Sequence, residues 1–102
     1  MFKDKILLIT GGTGSFGNAV LKGFINSDFK EIRIFSRDEK KQEDMRIKYQ
    51  NSRLKFYIGD VRDFDSINNA MIGVNYVFHE FMRTHIIKSH VINYSPVFSK
   101  AK

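Results

Sequence analysis

A glycine-rich segment near the N-terminus constrains this chain more than any other feature. The segment TGGTGSFG at 10–17 follows the apolar run 6–9 and leads into an amphipathic stretch at 18–26. Glycines at 12, 14 and 17 satisfy G-x-G-x-x-G, and those at 11, 14 and 17 satisfy T-G-x-x-G-x-x-G. A buried strand, a tight glycine turn and a helix N-terminus in that order form the phosphate-binding corner of a dinucleotide-binding fold. This context makes the glycine pattern far more specific than it would be alone.

Three of these glycines have distinct expected roles. Gly11 is predicted to allow the tight turn, Gly14 to let a pyrophosphate approach the backbone, and Gly17 to let the first helix pack closely on the sheet. Backbone N–H groups from Thr13 to Phe16, with the helix dipole, would bind the phosphates. An ordinary flexible loop is the alternative, but four glycines in seven residues at matching spacing disfavour it.

Short apolar runs alternate with helical patterns along most of the chain, which is typical of βαβ units. We therefore predict an α/β fold, a truncated Rossmann-like (doubly wound) parallel sheet of about four strands with flanking helices. The predicted strands are 5–10, 31–35, 54–58 and 75–78, and the predicted helices are 18–26, 38–50 and 63–71. A helix across 84–92, limited by Pro96, also fits the pattern. The apolar residues predicted to face inward from the first three helices are Val20, Leu21, Phe24, Ile25, Met45, Tyr49, Phe64, Ile67 and Met71.

The segment after the second strand carries the second candidate binding group. NAD-specific domains often place an acidic residue there, whereas an arginine suits the 2′-phosphate of NADP. Here Arg37 can bind a phosphate through two hydrogen bonds, and Lys41 can add a point charge. NADP is therefore favoured, and Asp38 leaves NAD as the alternative. Ser36 and Glu39 also fit a capping box for the next helix, a role compatible with phosphate binding.

The sequence Gly59-Asp60-Val61-Arg62-Asp63 directly follows the third strand and is the third candidate group. The Asp60 carboxylate can accept a hydrogen bond from an adenine amino group while Val61 packs near the ring. The alternative is a strand-ending turn in which Asp63 caps a helix. Beside the other two motifs, the adenine interpretation is favoured.

Composition narrows the classes of function. The chain has 102 residues, which suits one domain, and no cysteine, which excludes disulfides and thiolate metal sites. Half of the net charge of +6 arises in 79–102, so a solvated surface is favoured over a nucleic-acid-binding stripe.

The spacing of His79, His85 and His90 does not suit a metal site on one helical face, so packing or surface roles are expected. Because no apolar run suits a signal peptide or a membrane span, we expect a cytoplasmic protein.

Taken together, the three motifs resemble those of an extended short-chain dehydrogenase/reductase of the bacterial polysaccharide-biosynthesis branch. That branch contains UDP-N-acetylglucosamine 4,6-dehydratases, some of which are also 5-epimerases. The resemblance rests on T-G-G-T-G-S-F-G, F-S-R-D-E-K-K-Q and F-Y-I-G-D-V-R-D and covers residues 4 to about 79. It implies that an NADP site is formed by the glycine turn, including Gly11 and Gly17, and by contacts from Thr13, Gly14, Ser15, Phe16, Ser36, Arg37, Asp38, Glu39, Lys41, Asp60 and Val61.

The chain departs from this family after the fourth strand. Where the family continues His-Ala-Ala-Ala-Leu-Lys, this chain reads His-Glu-Phe-Met from residue 79. Residues 83–93 resemble a degraded copy of the family's next helix, with His85 replacing an asparagine and a preceding segment lost. A frameshifted tail is the alternative. We therefore divide the chain into an NAD(P)-binding Rossmann half-domain at 1–79 and a divergent tail at 80–102.

The catalytic half expected from the resemblance is also missing. The family uses a Tyr-x-x-x-Lys pair, but the residues four positions after the tyrosines are Arg53, Val61, Glu80 and Phe98. The family's second catalytic pair is Asp-Lys, and the Asp-Lys dipeptide present here, Asp4-Lys5, precedes the first strand. Without a base at the sugar's 4-hydroxyl, hydride transfer has no proton acceptor.

These features predict the NADP-binding N-terminal portion of a nucleotide-sugar 4,6-dehydratase, inactive alone, with no catalytic residues and no metal. A UDP-sugar would bind only to an intact relative, and neither nucleic acid nor a membrane is an expected partner. A stand-alone NADP-binding module, or a subunit completed by another chain, is the alternative. An exposed sheet edge after the fourth strand predicts weak folding or self-association.

Overall fold

Four parallel strands alternate with three helices in the order that the sequence predicts. The computed structural model describes residues 1–79, 91–94 and 98–101, with side chains described for 1–79. The elements of the first range are β1 (Ile6–Thr10), α1 (Ser15–Phe24), β2 (Glu31–Ser36), α2 (Glu39–Tyr49), β3 (Leu54–Ile58), α3 (Phe64–Met71) and β4 (Tyr76–His79). The parallel strands lie in the order β3-β2-β1-β4, which confirms the predicted Rossmann-like fold.

Helices cover both faces of the sheet, as a parallel sheet requires. On one face Leu7 packs in a buried cluster with Leu21 of α1 and Met45 of α2. On the other face Leu8 packs with Ile67 of α3. Strand β1 is therefore buried on both sides, which explains its continuous apolar sequence. The residues predicted to face inward from the first two helices all join the first cluster: Val20, Leu21, Phe24, Ile25, Met45 and Tyr49.

Three local predictions about the helices are wrong. Helix α1 begins at Ser15, three residues earlier than predicted, so the glycine turn runs straight into it. The Ser36–Glu39 capping box does not form, because β2 extends to Ser36 and Asp38 becomes the N-cap of α2. Phe64, which is predicted to face inward, is 55% exposed. It is the first residue of α3 and lies beyond the buried cluster that contains Ile67. Asp63 caps α3 as its alternative role predicted, accepting from the Ser66 backbone N–H at 3.4 Å.

Two arginines donate hydrogen bonds to backbone carbonyls at or just after the C-termini of helices. Arg53 donates to backbone carbonyls just after α1, those of Ser27 and Phe29 at 2.8 and 2.9 Å. Arg33 is buried and donates to the carbonyls of Ala70 and Ile72 at the end of α3. Cations at helix C-termini satisfy the last carbonyls and complement the helix dipole. Arg53 and Arg33 therefore tie the chain at the ends of α1 and α3 to the sheet.

The tail adds two antiparallel strands, β5 (Val91–Tyr94) and β6 (Phe98–Ala101). Strand β6 pairs with β4, and the sheet order becomes β3-β2-β1-β4-β6-β5. The prediction of an exposed β4 edge is therefore wrong. The predicted helix at 84–92 is wrong at 91–92, where β-branched residues form β5, and its remainder lies outside the described residues. None of the described helices is long and apolar enough to cross a membrane.

Candidate functional site

The candidate site lies where the parallel strands β1, β2 and β3 end. Backbone N–H groups of Gly11 and Gly12 donate to the Phe35 carbonyl at 2.8 and 3.3 Å, which ties the glycine turn to the neighbouring strand. Gly11 has φ +66°, a conformation that glycine adopts without strain, so its predicted role in the turn is confirmed. The turn leads directly into α1, which begins at Ser15.

Gly12 in the turn and Gly17 in the first turn of α1 are both required by the protein's own packing. A Cβ on Gly17 would lie 2.3 Å from the Cα of Gly12, and one on Gly12 would lie 2.6 Å from the Ile34 side chain. The close approach predicted for Gly17 is therefore present, although its partner is the turn and not a strand. These contacts hold the first turn of α1 against the end of β1.

Gly14 is different, because nothing in the described protein requires a glycine there. Its φ of −83° and ψ of −177° are open to any residue. An added Cβ would meet only the Gly11 carbonyl oxygen, at an ordinary 3.6 Å. A side chain at this position would instead occupy the space in front of the helix N-terminus.

The N-terminus of α1 has no side-chain cap within the described residues and no acidic residue in its first turn. Asn18 instead reaches back, and its Nδ2 donates to the Thr13 and Gly14 carbonyls at 3.3 and 3.0 Å. This fixes the loop while leaving the helix's first N–H groups without a side-chain acceptor. Such a terminus is suited to an anion.

Two adjoining pockets form one groove along the strand ends. They share Gly11, Ser36 and Arg37. The first, of about 390 Å³, is lined by Thr10, Gly11, Phe35, Ser36, Arg37, Gly59, Asp60, Val61, Arg62 and His79. The second, of about 620 Å³, is lined by Gly11, Thr13, Gly14, Ser36, Arg37, Asp38, Glu39 and Lys41. Ten of the thirteen predicted site residues line the groove, and those that do not are Ser15, Phe16 and Gly17 in the first turn of α1.

Asp60 holds two arginines at the mouth of the first pocket. Its carboxylate accepts from Arg62 Nη2 at 2.7 Å and from the Arg62 backbone N–H at 2.9 Å. Arg37 Nη1 lies 3.5 Å from the same carboxylate. Hydrogen bonds from Arg62, and then the charge of Arg37, hold the pKa of Asp60 well below its usual range. Asp60 therefore stays ionised and can accept further hydrogen bonds from a ligand.

Sequence reasoning missed several residues that shape the groove. His79 is buried, its Nδ1 lies 2.6 Å from the Thr10 hydroxyl, and it lines the first pocket. Its position at the end of β4 was the available signal, because ligands bind where parallel strands end. Its predicted packing role is confirmed, whereas His85 and His90 lie outside the described residues. Arg62 belongs to the third motif, which predicts no binding role for it, and it lines the first pocket. Within the described part of the chain no His, Cys, Asp and Glu cluster suits a metal.

The fold and the groove define a Rossmann-like α/β protein. Its candidate site lies at the ends of the parallel strands, where proteins of this fold bind nucleotides. The family model for "Polysaccharide biosynthesis protein" matches residues 7–91, so this chain belongs to that family.

Individual relatives agree with this assignment. The chain is 58% identical over 115 residues to a UDP-glucose 4-epimerase of Rickettsia prowazekii (strain Madrid E), covering 99% of this chain and 34% of that protein. It is 70% identical over 83 residues to a UDP-glucose 4-epimerase of Rickettsia bellii (strain RML369-C), covering 78% and 24%. The X-ray structure of Pen from Bacillus thuringiensis matches with a TM-score of 0.74 and 36% identity, covering 83% and 26%. The chain thus spans about a third or less of the lengths of these proteins.

Proposed function

We propose that this chain is the NADP-binding N-terminal portion of an enzyme that modifies a nucleotide sugar. One observation carries the proposal. The uncapped N-terminus of α1, the basic pair Arg37 and Lys41, and a pocket containing Asp60 all open into one continuous groove. These are the three environments that a dinucleotide phosphorylated on its adenosine ribose needs: diphosphate, ribose phosphate and adenine sites.

The diphosphate site is supported by the contrast between Gly14 and Gly17. Glycine at 17 is explained by intramolecular packing, but glycine at 14 is not. A ligand that approaches the backbone closely explains why a side chain is absent there. The helix dipole and the unfilled N–H groups would then bind the negatively charged diphosphate.

The ribose phosphate site is supported by Arg37 and Lys41, which line the same pocket. The Arg37 side chain is 70% exposed and its Nη1 lies 3.5 Å from the Asp60 carboxylate, which is a long contact, so the guanidinium can turn towards a phosphate at little cost. A planar guanidinium can then form two parallel hydrogen bonds to the phosphate oxygens. Two cations favour a phosphate there, and hence NADP over NAD.

The adenine site is supported by the first pocket. The buried Phe35 and the adjoining Val61 line this pocket, and the ionised Asp60 can accept a hydrogen bond from the adenine amino group. A pocket with apolar walls and few polar groups is typical of a site for a planar ring.

For the complete enzyme we propose hydride transfer at C4 of a UDP-sugar. The motifs resemble those of 4,6-dehydratases, whereas the curated relatives above carry the name UDP-glucose 4-epimerase. The nicotinamide cofactor would supply hydride exchange in either reaction. The residues of this chain would bind and orient the cofactor, while acid–base residues would come from a part of the enzyme that these 102 residues do not contain. The chain by itself is therefore expected to be inactive.

The tail is proposed to be a shortened copy of the corresponding region in the relatives. The match to the R. prowazekii protein extends over 115 positions and 99% of a 102-residue chain. The relative therefore has residues within the aligned stretch that this chain lacks. This favours loss of an internal segment over a frameshifted tail, and the departure from the family pattern after His79 supports a position near residue 80.

A stand-alone NADP-binding module, alone or completed by another chain, is the second candidate. The observation that favours it is the pairing of β6 with β4, which covers the sheet edge that a simple truncation would expose. A soluble product that melts cooperatively is expected from this candidate, and an aggregating product is expected from a remnant.

The NADP proposal is tested by dissociation constants for NADP⁺ and NAD⁺ measured by titration calorimetry on the wild type and Arg37→Ala. Charge-assisted hydrogen bonds contribute about 1.5–3 kcal/mol, so the substitution should weaken NADP⁺ binding roughly tenfold or more and barely change NAD⁺ binding. Arg46→Ala is the matched control, because Arg46 is an exposed arginine of α2 that is paired with Glu43 and lines neither pocket of the groove. Equal losses from both variants, or tighter NAD⁺ than NADP⁺ binding by the wild type, would contradict the proposal.

A further inference from the structure

A buried glutamine lies directly behind the groove. Gln42 of α2 is only 1% exposed and faces the sheet. Its Nε2 donates to the Tyr57 carbonyl at 2.9 Å and to the Ser36 hydroxyl oxygen at 3.1 Å, with the Ser36 carbonyl further away at 3.4 Å. Because a carbonyl oxygen only accepts, the contact with Tyr57 fixes which end of the amide is nitrogen.

This arrangement determines the direction of the Ser36 hydroxyl. Its oxygen already accepts a hydrogen bond from Gln42, so its own proton must point away from the amide. Ser36 is 8% exposed and lines both pockets of the groove. Because Ser36 lines both pockets, the groove offers space for an acceptor of this proton, and there Ser36 would donate beside Arg37.

Burying the Gln42 side chain has a free-energy cost that its contacts within the protein do not explain. Its Oε1 is buried and has no hydrogen-bond partner within residues 1–79. An apolar side chain of similar shape would fill the same space without burying an unsatisfied oxygen. A buried polar group that is incompletely satisfied needs a reason, and a functional role in aiming its neighbour supplies one.

We propose that Gln42 is a positioning residue that sets the preference for a ribose-phosphorylated ligand by aiming the Ser36 hydroxyl into the groove. The inference rests on the proposed NADP site. A phosphate oxygen is a strong acceptor for this hydroxyl, next to the two cations Arg37 and Lys41. An unphosphorylated ribose gains less from the same donor, because its hydroxyl is a neutral partner.

The test compares wild type, Gln42→Met, Ser36→Ala and the double variant, using NADP⁺ and NAD⁺ as probes in calorimetry. Methionine keeps the size and flexibility of glutamine but removes its donor. We expect Gln42→Met to weaken NADP⁺ binding about fivefold to tenfold and to change NAD⁺ binding less than twofold. In the Ser36→Ala background it should have no further effect on NADP⁺, because its target is gone.

Gln50→Met is the matched control, since Gln50 is the exposed glutamine at the other end of α2 and lines neither pocket of the groove. It should leave the NADP⁺ to NAD⁺ ratio unchanged. Thermal melts check folding, and Gln42→Leu replaces Gln42→Met if the latter does not fold. Equal weakening of both nucleotides, or additive effects of the two substitutions, would overturn the role of Gln42 alone. A wild-type chain that binds neither nucleotide would overturn the proposed function and this inference with it.

Discussion

The three helix N-termini at the strand ends differ in one respect. In α2 and α3 an aspartate is the N-cap, and its carboxylate accepts from a backbone N–H of the first turn. In α1 the N-cap is Gly14, which offers no side chain, and the first turn contains no acidic residue. Two helix starts are thus capped by a side chain of the protein, while the third has no side-chain cap within the described residues. The difference indicates where stability and where binding should respond to substitution.

The largest expected effect on stability comes from the contact between α1 and its own turn. In Gly17→Ala the added methyl would lie 2.3 Å from the Gly12 backbone, which cannot move without breaking the turn. We expect the free energy of unfolding to fall by about 3 kcal/mol or more. Urea denaturation measures this loss.

Gly23→Ala is the matched control for that prediction. Gly23 lies in the same helix, and nothing is within 4 Å of its added Cβ. Alanine is the better helix former, so this variant should gain about 0.5–1 kcal/mol. Similar effects of the two substitutions would contradict the packing role of Gly17.

An intermediate effect is expected at a capped helix. Asp63→Ala removes the acceptor for the Ser66 N–H at the start of α3 and should cost about 1 kcal/mol. Denaturant midpoints measured in parallel for Asp63→Ala and Asp38→Ala should fall together. If neither changes stability, the aspartate caps do not distinguish α2 and α3 from α1.

The smallest effect on stability is expected at Gly14. Gly14→Asp would give α1 the same kind of cap as α2 and α3, and its backbone angles accept the change, so stability should rise by a few tenths of a kcal/mol. The added carboxylate would repel a diphosphate, and NADP⁺ binding should be lost. Unchanged NADP⁺ affinity in a folded Gly14→Asp chain would show that the diphosphate binds elsewhere.

The sequence predicted the elements that depend on local pattern. The apolar run of β1 and the inward-facing stripe containing Leu21 and Met45 are features of single segments, and the structure contains them. The glycine turn was predictable for the same reason, since its spacing is read along the chain. Arg37, Lys41 and Asp60 line one groove because the segments that carry them follow parallel strands, which end at one edge of the sheet, and their binding roles stay predictions.

The misses depend on partners that lie outside the segment whose pattern was interpreted. Ser36 does not cap α2 because it belongs to a strand whose length is set by pairing with β3, and its hydroxyl meets Gln42 instead. His79 lines the groove because β4 lies beside β1, which spacing among histidines could not indicate. The strand at Val91–Tyr94 forms through pairing with β6, so its helical periodicity was misleading.

The most direct test of the central claim is a thermal melt of the wild-type chain with and without NADP⁺. A ligand at one hundred times its dissociation constant stabilises the folded state by about 2.7 kcal/mol, which is a shift of many degrees for a domain of this size. We predict one cooperative transition that NADP⁺ raises more than NAD⁺ does, and that Gly14→Asp makes insensitive to both. A transition at the same temperature with and without NADP⁺, at concentrations up to several millimolar, would contradict the account.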